Sequence, residues 1–215
     1  RDLRMSRGLG DVYKRQTYGS VIRITDHNED YDTYDYLGSN PAGYVKWFFD
    51  ACAKQRNRLY EQYIKDHRTV VAQAEVEDVK RRKVKTPLQR VVQILKRHRD
   101  IKFADDNSGN KPISIIITTI AGRLYEEEDN IYDALFNILS KAPSWIMDNR
   151  KGQQFYIENP SYKGENFADK WNTHPERATA FFKWLDTARK DLVDGRLLQL
   201  SLIHISEPTR HAQIS

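Results

Sequence analysis

The sequence predicts a mostly α-helical fold with one or two short strands, and three observations carry that prediction. Two helix starts are written as a polar cap followed by proline, Asn40-Pro41 and Thr86-Pro87. These residue types satisfy the free N–H groups of a first turn and fit its φ. Behind the second start, Leu88, Val91, Val92, Leu95 and Arg99 recur at the i, i+3, i+4, i+7 intervals of one helical face. Only residues 21–25 (VIRIT) clearly alternate apolar and polar side chains as a half-buried strand does.

The elements follow in order. Residues 21–25 read as a strand and 26–38 as an acidic, tyrosine-rich loop. Asn40 opens a helix that reaches about residue 65, with Tyr44, Trp47, Phe48, Cys52, Leu59 and Tyr63 on or near one side. Residues 72–84 are charged and end in KRRKVK. Thr86 caps the next helix, 87–103, and Gln89 completes a capping box. On that helix Arg90, Gln93, Lys96, Arg97 and Arg99 occupy the flank and the side opposite the apolar stripe. Residues 105–110 are a turn-rich break. Ile113, Ile116, Ile117, Ile120 and Leu124 then fall at helical spacing behind Pro112. The β-branched run IIITTI favours a strand by propensity, but pattern length and the proline start favour a helix. A third helix covers 130–148, a short strand 154–157, and a last helix 175–192 with Phe181, Phe182, Trp184 and Leu185. There is no internal repeat.

Both ends read as foreign to the fold. Residues 6–16 (SRGLGDVYKRQ) and 200–210 (LSLIHISEPTR) resemble translations of the two strands of one transposase sequencing adapter. Residues 1–16 and 200–215 are therefore expected to be adapter-derived tails, set aside from fold reasoning. The formal charge of the whole chain is +5, and residues 1–16 supply +3 of it (five Arg or Lys against two Asp), so the inner segment carries about +2. A nucleic-acid partner would need a concentrated basic face rather than that total, and none is expected. A hydrophobic share of 39% with Trp47, Trp145, Trp171 and Trp184 suffices for the core of one domain or lobe. Cys52 is the only cysteine, which excludes an intrachain disulfide and a cysteine-based zinc site. No apolar run could span a bilayer as a helix, so no membrane partner is expected and the default location is the cytoplasm.

The basic flank of the 87–103 helix is the clearest candidate for chemistry. Lys and Arg at helical spacing can hold a triphosphate, lysine as a mobile point charge and arginine as a planar fork. The same residues also fit a solvated face paired with nearby carboxylates.

Three blocks weigh on that choice: KTPLQRVVQILKRHRD (85–100), KPISIIITT (111–119) and ENFADKW (165–171). With VIRITD and SNPAGYVKWF upstream, they resemble the cGAS/DncV-like nucleotidyltransferases of bacteria, the SMODS family that makes cyclic di- or oligonucleotide second messengers. The resemblance spans about residues 21–192. It implies the helical lobe of an α+β polymerase-β-like nucleotidyltransferase. On that reading residues 17–39 are a remnant of the catalytic core (strand and loop) and 40–199 form a helical C-terminal lobe. Family members use a Gly-Ser turn and three carboxylates to hold two Mg²⁺, which activate a ribose hydroxyl and stabilise the leaving pyrophosphate. The resemblance further implies nucleoside triphosphates as substrates, a role in antiphage (CBASS) defence, and regulatory or effector proteins of a defence operon as partners. Lys96 matches the helical-lobe lysine at the triphosphate, and Ser114 matches a serine at the phosphates. Ile115 stands where the animal enzyme has a base-stacking aromatic ring. Arg90 and Arg97 are supporting nucleotide-binding candidates.

Catalytic and metal-binding residues are expected upstream of residue 17, leaving this chain inactive alone. Gly19-Ser20 followed by Asp30 and Asp32 has the spacing of the polymerase-β pattern, but a strand and an acidic loop follow where that pattern needs a helix and an apolar strand. His98 is expected to be packed or paired, while His67 and His174 have no ligand-spaced partner. Residues 126–128 (EEE) read as a solvated helix end. Glu165, Asp169 and Trp171 are expected to lock their loop to the helices, and Cys52 to sit in the core. Two other functions suit the same features: a polymerase-β-like transferase extending RNA ends, and a non-enzymatic helical nucleotide-binding or scaffold module.

Overall fold

The computed structural model describes residues 15–16, 19–20, 22–28, 33–66 and 85–195. Among these the architecture is mostly helical, as the sequence predicts. Two short strands, β1 (Arg15–Gln16) and β2 (Gly19–Ser20), pair antiparallel. Two longer ones, β3 (Ile22–Asn28) and β4 (Thr33–Ser39), form a second antiparallel pair in register from Ile22↔Ser39 to Asn28↔Thr33. The loop expected at 26–38 is therefore largely strand. Acidic residues suggested a loop, but Thr33, Tyr34 and Tyr36 are good strand formers, and the partner strand satisfies the backbone whatever the charge pattern.

Ser39 leads into helix α1 (Pro41–Ala51). Asn40 caps it as expected: Oδ1 accepts from Gly43 N at 2.9 Å. The same side chain is fully buried and ties the helix start to a distant loop, with Nδ2 donating to Ser161 O at 3.2 Å. Ser161 Oγ lies 2.9 Å from Asn40 O and 2.8 Å from Asn159 Oδ1, sharing its one proton between them. The helix expected to reach residue 65 breaks once. Cys52 (φ −100°, ψ −2°) ends α1, and α2 (Ala53–Asp66) continues beyond it. The Cys52 thiol, buried as expected, donates to Phe48 O at 3.1 Å within that last turn.

The central helix α3 (Pro87–Lys102) begins with the predicted capping box: Thr86 Oγ1 accepts from Gln89 N at 3.4 Å, and Gln89 Oε1 accepts from Thr86 N at 3.0 Å. Thr86 is fully buried. Thr86→Ala should therefore cost about 1 kcal/mol, within the range for losing an N-cap. Thermal melts check this, and an unchanged melting temperature would show that the box adds nothing.

Helix α4 (Ser114–Leu124) confirms the helical reading of IIITTI, with Ile116, Ile117 and Ile120 all buried. Ile113, expected on the apolar side, instead precedes the helix and is 48% exposed. Helix α5 (Ile131–Asp148) starts at Asn130, whose Oδ1 accepts from Asp133 N at 2.9 Å. The strand expected at 154–157 does not form; only isolated bridges, Lys151↔Gln154 and Glu158↔Asn166, flank it. Side-chain amides replace the missing partner strand. Asn172 Oδ1 accepts from Phe155 N at 2.7 Å, and Asn166 Oδ1 accepts from Ile157 N at 2.8 Å. Such amides meet the backbone's bonding requirement as a ladder would.

A five-residue helix, α6 (Asp169–Thr173), leads to α7 (Pro175–Arg189), which passes into a π-helical turn, Lys190–Asp194. Helices α3, α4, α5 and α7 enclose the core, which includes Leu88, Leu95, Ile116, Ile138, Leu139 and Phe181. His98 is packed and paired, as anticipated. Its Nδ1 accepts from Trp184 Nε1 at 3.1 Å, so its Nε2 carries the proton toward Asp191 Oδ2 at 3.0 Å.

Candidate functional site

The site is built where the last turns of α3 meet the start of α4. Arg99 continues the apolar stripe of α3 and is therefore drawn inward, to 8% exposure. A buried guanidinium must find acceptors. Arg99 Nη1 donates to Pro112 O at 3.0 Å and to Ser114 Oγ at 2.7 Å, while Nε and Nη2 donate to Asp100 Oδ1 at 3.1 and 2.8 Å. Lys111 also pairs with Asp100 at 2.7 Å. Lys111 and Arg99 together hold the Asp100 carboxyl below the usual carboxylate range. One arginine thus fixes the approach and the first residue of α4.

That first residue is Ser114. Its oxygen accepts from Arg99, which leaves its own proton to donate outward. The residue ahead of it, Ile113, has no side-chain acceptor, so no cap covers the first turn of α4. The leading N–H groups of a helix have no acceptor within it and favour an anion. Ile115 follows; its carbonyl accepts from Thr119 Oγ1 at 2.8 Å and from Tyr44 Oη at 3.4 Å. Burial pushes the Tyr44 hydroxyl up to about 12, so it stays a neutral donor.

Lys96 lies one turn before Arg99 on α3. It is half-buried and makes no ion pair among the described residues. Burial, and then the neighbouring Arg99 charge, lower its proton affinity. An anion placed beside it would reverse the second of these effects.

The four sequence candidates therefore separate. Ser114 bonds Arg99, and Lys96 is near enough to Arg99 to feel its charge. Arg90 and Arg97 share another face of α3 and line a groove of about 480 Å³ with Ile94, Ile101, Ile131 and Leu192. Adjacent residues on a helix point about 100° apart, which is why Arg97 leaves the face that Lys96 occupies. Arg99 is the residue of the site that the sequence alone does not single out. The available signal was an arginine falling in phase with an apolar stripe.

Residues 111–113 also form one wall of a cleft of about 690 Å³, opposite Tyr162, Lys163, Lys170 and Arg177. These last three cations make no ion pair among the described residues. The cleft's volume suits a small-molecule ligand. Of the trio expected to lock the 155–171 loop, Trp171 is buried and Glu165 Oε2 accepts from Asn159 Nδ2 at 2.6 Å, but the Asp169 side chain is exposed and accepts from the adjacent Lys170 N.

Among the described residues, no three His, Cys, Asp or Glu side chains gather as they would around a metal ion. Gly19–Ser20 is a strand followed by β3, not by the helix that the polymerase-β pattern requires. Asp30, Asp32 and His67 lie outside the described residues. The site as described fits anion binding and does not fit a metal centre. No described helix is long and apolar enough to cross a membrane.

Comparison with known proteins places these features in context. No family profile matches the chain. It is 33% identical over 189 residues to the c-di-GMP synthase of Roseivirga ehrenbergii, covering 86% of this chain and 48% of that protein. It is 26% identical over 190 residues to the cyclic dinucleotide synthase CdnG of Bradyrhizobium diazoefficiens, covering 82% of this chain and 44% of that protein. The fold matches the solved structure of that CdnG, determined in complex with GTP, at a TM-score of 0.58 and 24% identity over 88% of this chain and 57% of that one. The chain spans about half the length of the curated relatives it matches.

Proposed function

We propose, from the premise that this chain belongs to the cGAS/DncV-like nucleotidyltransferases, that it is the lobe that grips the triphosphate of an incoming nucleotide. The full protein would join nucleoside triphosphates into a cyclic di- or oligonucleotide second messenger in the bacterial cytoplasm. Antiphage defence, with regulatory or effector partners from the same operon, is the biological setting we assign to it.

The observation that carries the reading is the grouping at the α3–α4 junction. Ser114 is pinned by buried Arg99 with its hydroxyl proton still free to donate, and Lys96 stands one turn away without a carboxylate partner among the described residues. In this arrangement Lys96 supplies a mobile charge to phosphate oxygens, Ser114 donates a hydrogen bond, and Arg99 holds the serine in place. The cleft beside residues 111–113 offers room for the rest of the nucleotide. Arg90 and Arg97, on their separate groove, are left outside the proposal.

Two-metal chemistry with Mg²⁺ would need carboxylates that the described residues do not bring together. We assign them to the part of the full-length relatives that this chain does not span. The expected result is binding without bond formation. Purified chain incubated with the four labelled triphosphates and Mg²⁺ or Mn²⁺ should retain nucleotide and yield no phosphodiester product. Product that disappears in Asp30→Ala or Asp32→Ala would assign the catalytic carboxylates to this chain. Absence of triphosphate binding would count against the grip itself.

A further inference from the structure

The groove on the outer side of α3 has no part in the nucleotide reading, and its pattern points to a different ligand. Arg90, Ile94, Arg97 and Ile101 follow one another at intervals of four, three and four residues along an open helix face. That spacing is one half of a helix–helix seam, in which successive positions meet a partner helix. Like residues recur about 10.5 Å apart, at 1.5 Å per residue. The floor is apolar: Ile94, Ile131 and Leu192 are half-buried, and Ile101 is 57% exposed.

The rim is cationic. Arg90 and Arg97 are exposed and make no ion pair among the described residues. Lys85 stands at one end, donating to Gln93 Oε1 at 3.4 Å, and Lys102 at the other. Asp191, the carboxylate that precedes Leu192 of the floor, is already engaged by His98 at 3.0 Å and Lys102 at 2.9 Å. Among the described residues the charge of the two arginines is therefore left without a carboxylate. An apolar floor of this spacing takes the apolar stripe of a helix, and arginines beside it select carboxylates and disfavour lysines.

We propose that this groove docks an acidic amphipathic helix of a partner protein. The proposal does not rest on the nucleotide-binding reading. Two synthetic peptides of about 21 residues, long enough to form helix, provide the test. Both carry leucine at heptad spacing; one is flanked by glutamate and the other by lysine. Fluorescence anisotropy with the purified chain should show saturable binding of the acidic peptide, roughly tenfold or more tighter than the basic one and weakened by salt. Arg90→Glu combined with Arg97→Glu should invert that preference. Ile101→Asp should weaken acidic-peptide binding while leaving the melting temperature unchanged, because the side chain is exposed.

Equal affinity for the two peptides, or binding of neither, would overturn the proposal. So would sedimentation showing self-association that Ile101→Asp abolishes, since the occupant would then be a second copy. Loss of triphosphate binding in the arginine double variant with unaltered peptide binding would return these residues to the nucleotide site and also overturn it.

Discussion

Trp171→Ala should destabilise the fold by about 3–5 kcal/mol, the range for deleting a large buried aromatic side chain. The ring is 5% exposed and stands at the centre of an aromatic cluster. Its centroid lies 4.9 Å from Phe181 at a 48° tilt and 5.6 Å edge-to-face from Phe155. Phe181 belongs to the core between α5 and α7, whereas Phe155 belongs to the loop that returns to Asn40. Removing the indole thus opens a cavity and also unfastens the loop from the helices. For a chain of this size the loss corresponds to roughly 6–20 °C in melting temperature. Trp171→Phe should keep most of the contact, and Asp169→Ala should stay within about 0.5 kcal/mol because that side chain is exposed. Melts of the three variants side by side would decide the matter. A mild Trp171→Ala, or an Asp169→Ala just as damaging, would show that the loop is held by its polar network instead.

The same loop shows why parts of the structure were legible in the sequence and others were not. Helix starts were readable because capping is local: Thr86 and Gln89 bond each other across three residues, and their identities alone announce it. The core stripe of α3 was readable for the same reason, since Leu88, Val91, Val92 and Leu95 repeat within one element. The irregular elements depend on partners far away in the chain. Asn40 bonds Ser161 across 121 positions, and Asn166 and Asn172 take the place of a strand beside residues 155–157. Composition gives no hint of those pairings. The hairpin of β3 and β4 is hidden because carboxylates and tyrosines together suggest a surface loop, whereas pairing is decided by the backbone.

At the candidate site the division is similar. Lys96 and Ser114 were named from their resemblance to family motifs, and helical phase alone would not have joined them. Arg99, one turn beyond Lys96, bonds Ser114 because a charge buried in phase with an apolar stripe must reach across to the next element for acceptors. Arg90 and Arg97 looked equivalent to Lys96 in a list of basic residues. Their helical angle sets them on a different surface.

Lys96→Ala, introduced into a full-length protein carrying this lobe, should weaken triphosphate binding by on the order of tenfold to a hundredfold. That is the consequence of losing one charge-assisted contact, about 1.5–3 kcal/mol. The fold should survive. Lys96 is half-buried at the edge of α3 rather than in the core, and among the described residues no carboxylate would be left unpaired by its loss. Burial and the Arg99 charge already disfavour its ionised form, so the truncation also relieves a repulsion. Lys96→Arg should restore only part of the affinity, because a planar fork does not occupy the position of a flexible point charge. Salt should weaken the wild-type protein more than the alanine variant, since the charge being screened is the one removed. Ser114→Ala provides a second arm. It removes the hydroxyl that Arg99 orients, costing binding a neutral donor while leaving the lysine in place. Titration of a labelled triphosphate at two salt concentrations, with circular dichroism to confirm folding, measures all of these effects. If Lys96→Ala binds as tightly as the wild type at both, Lys96 belongs to a solvated face, and the junction of α3 and α4 is not where the triphosphate is held.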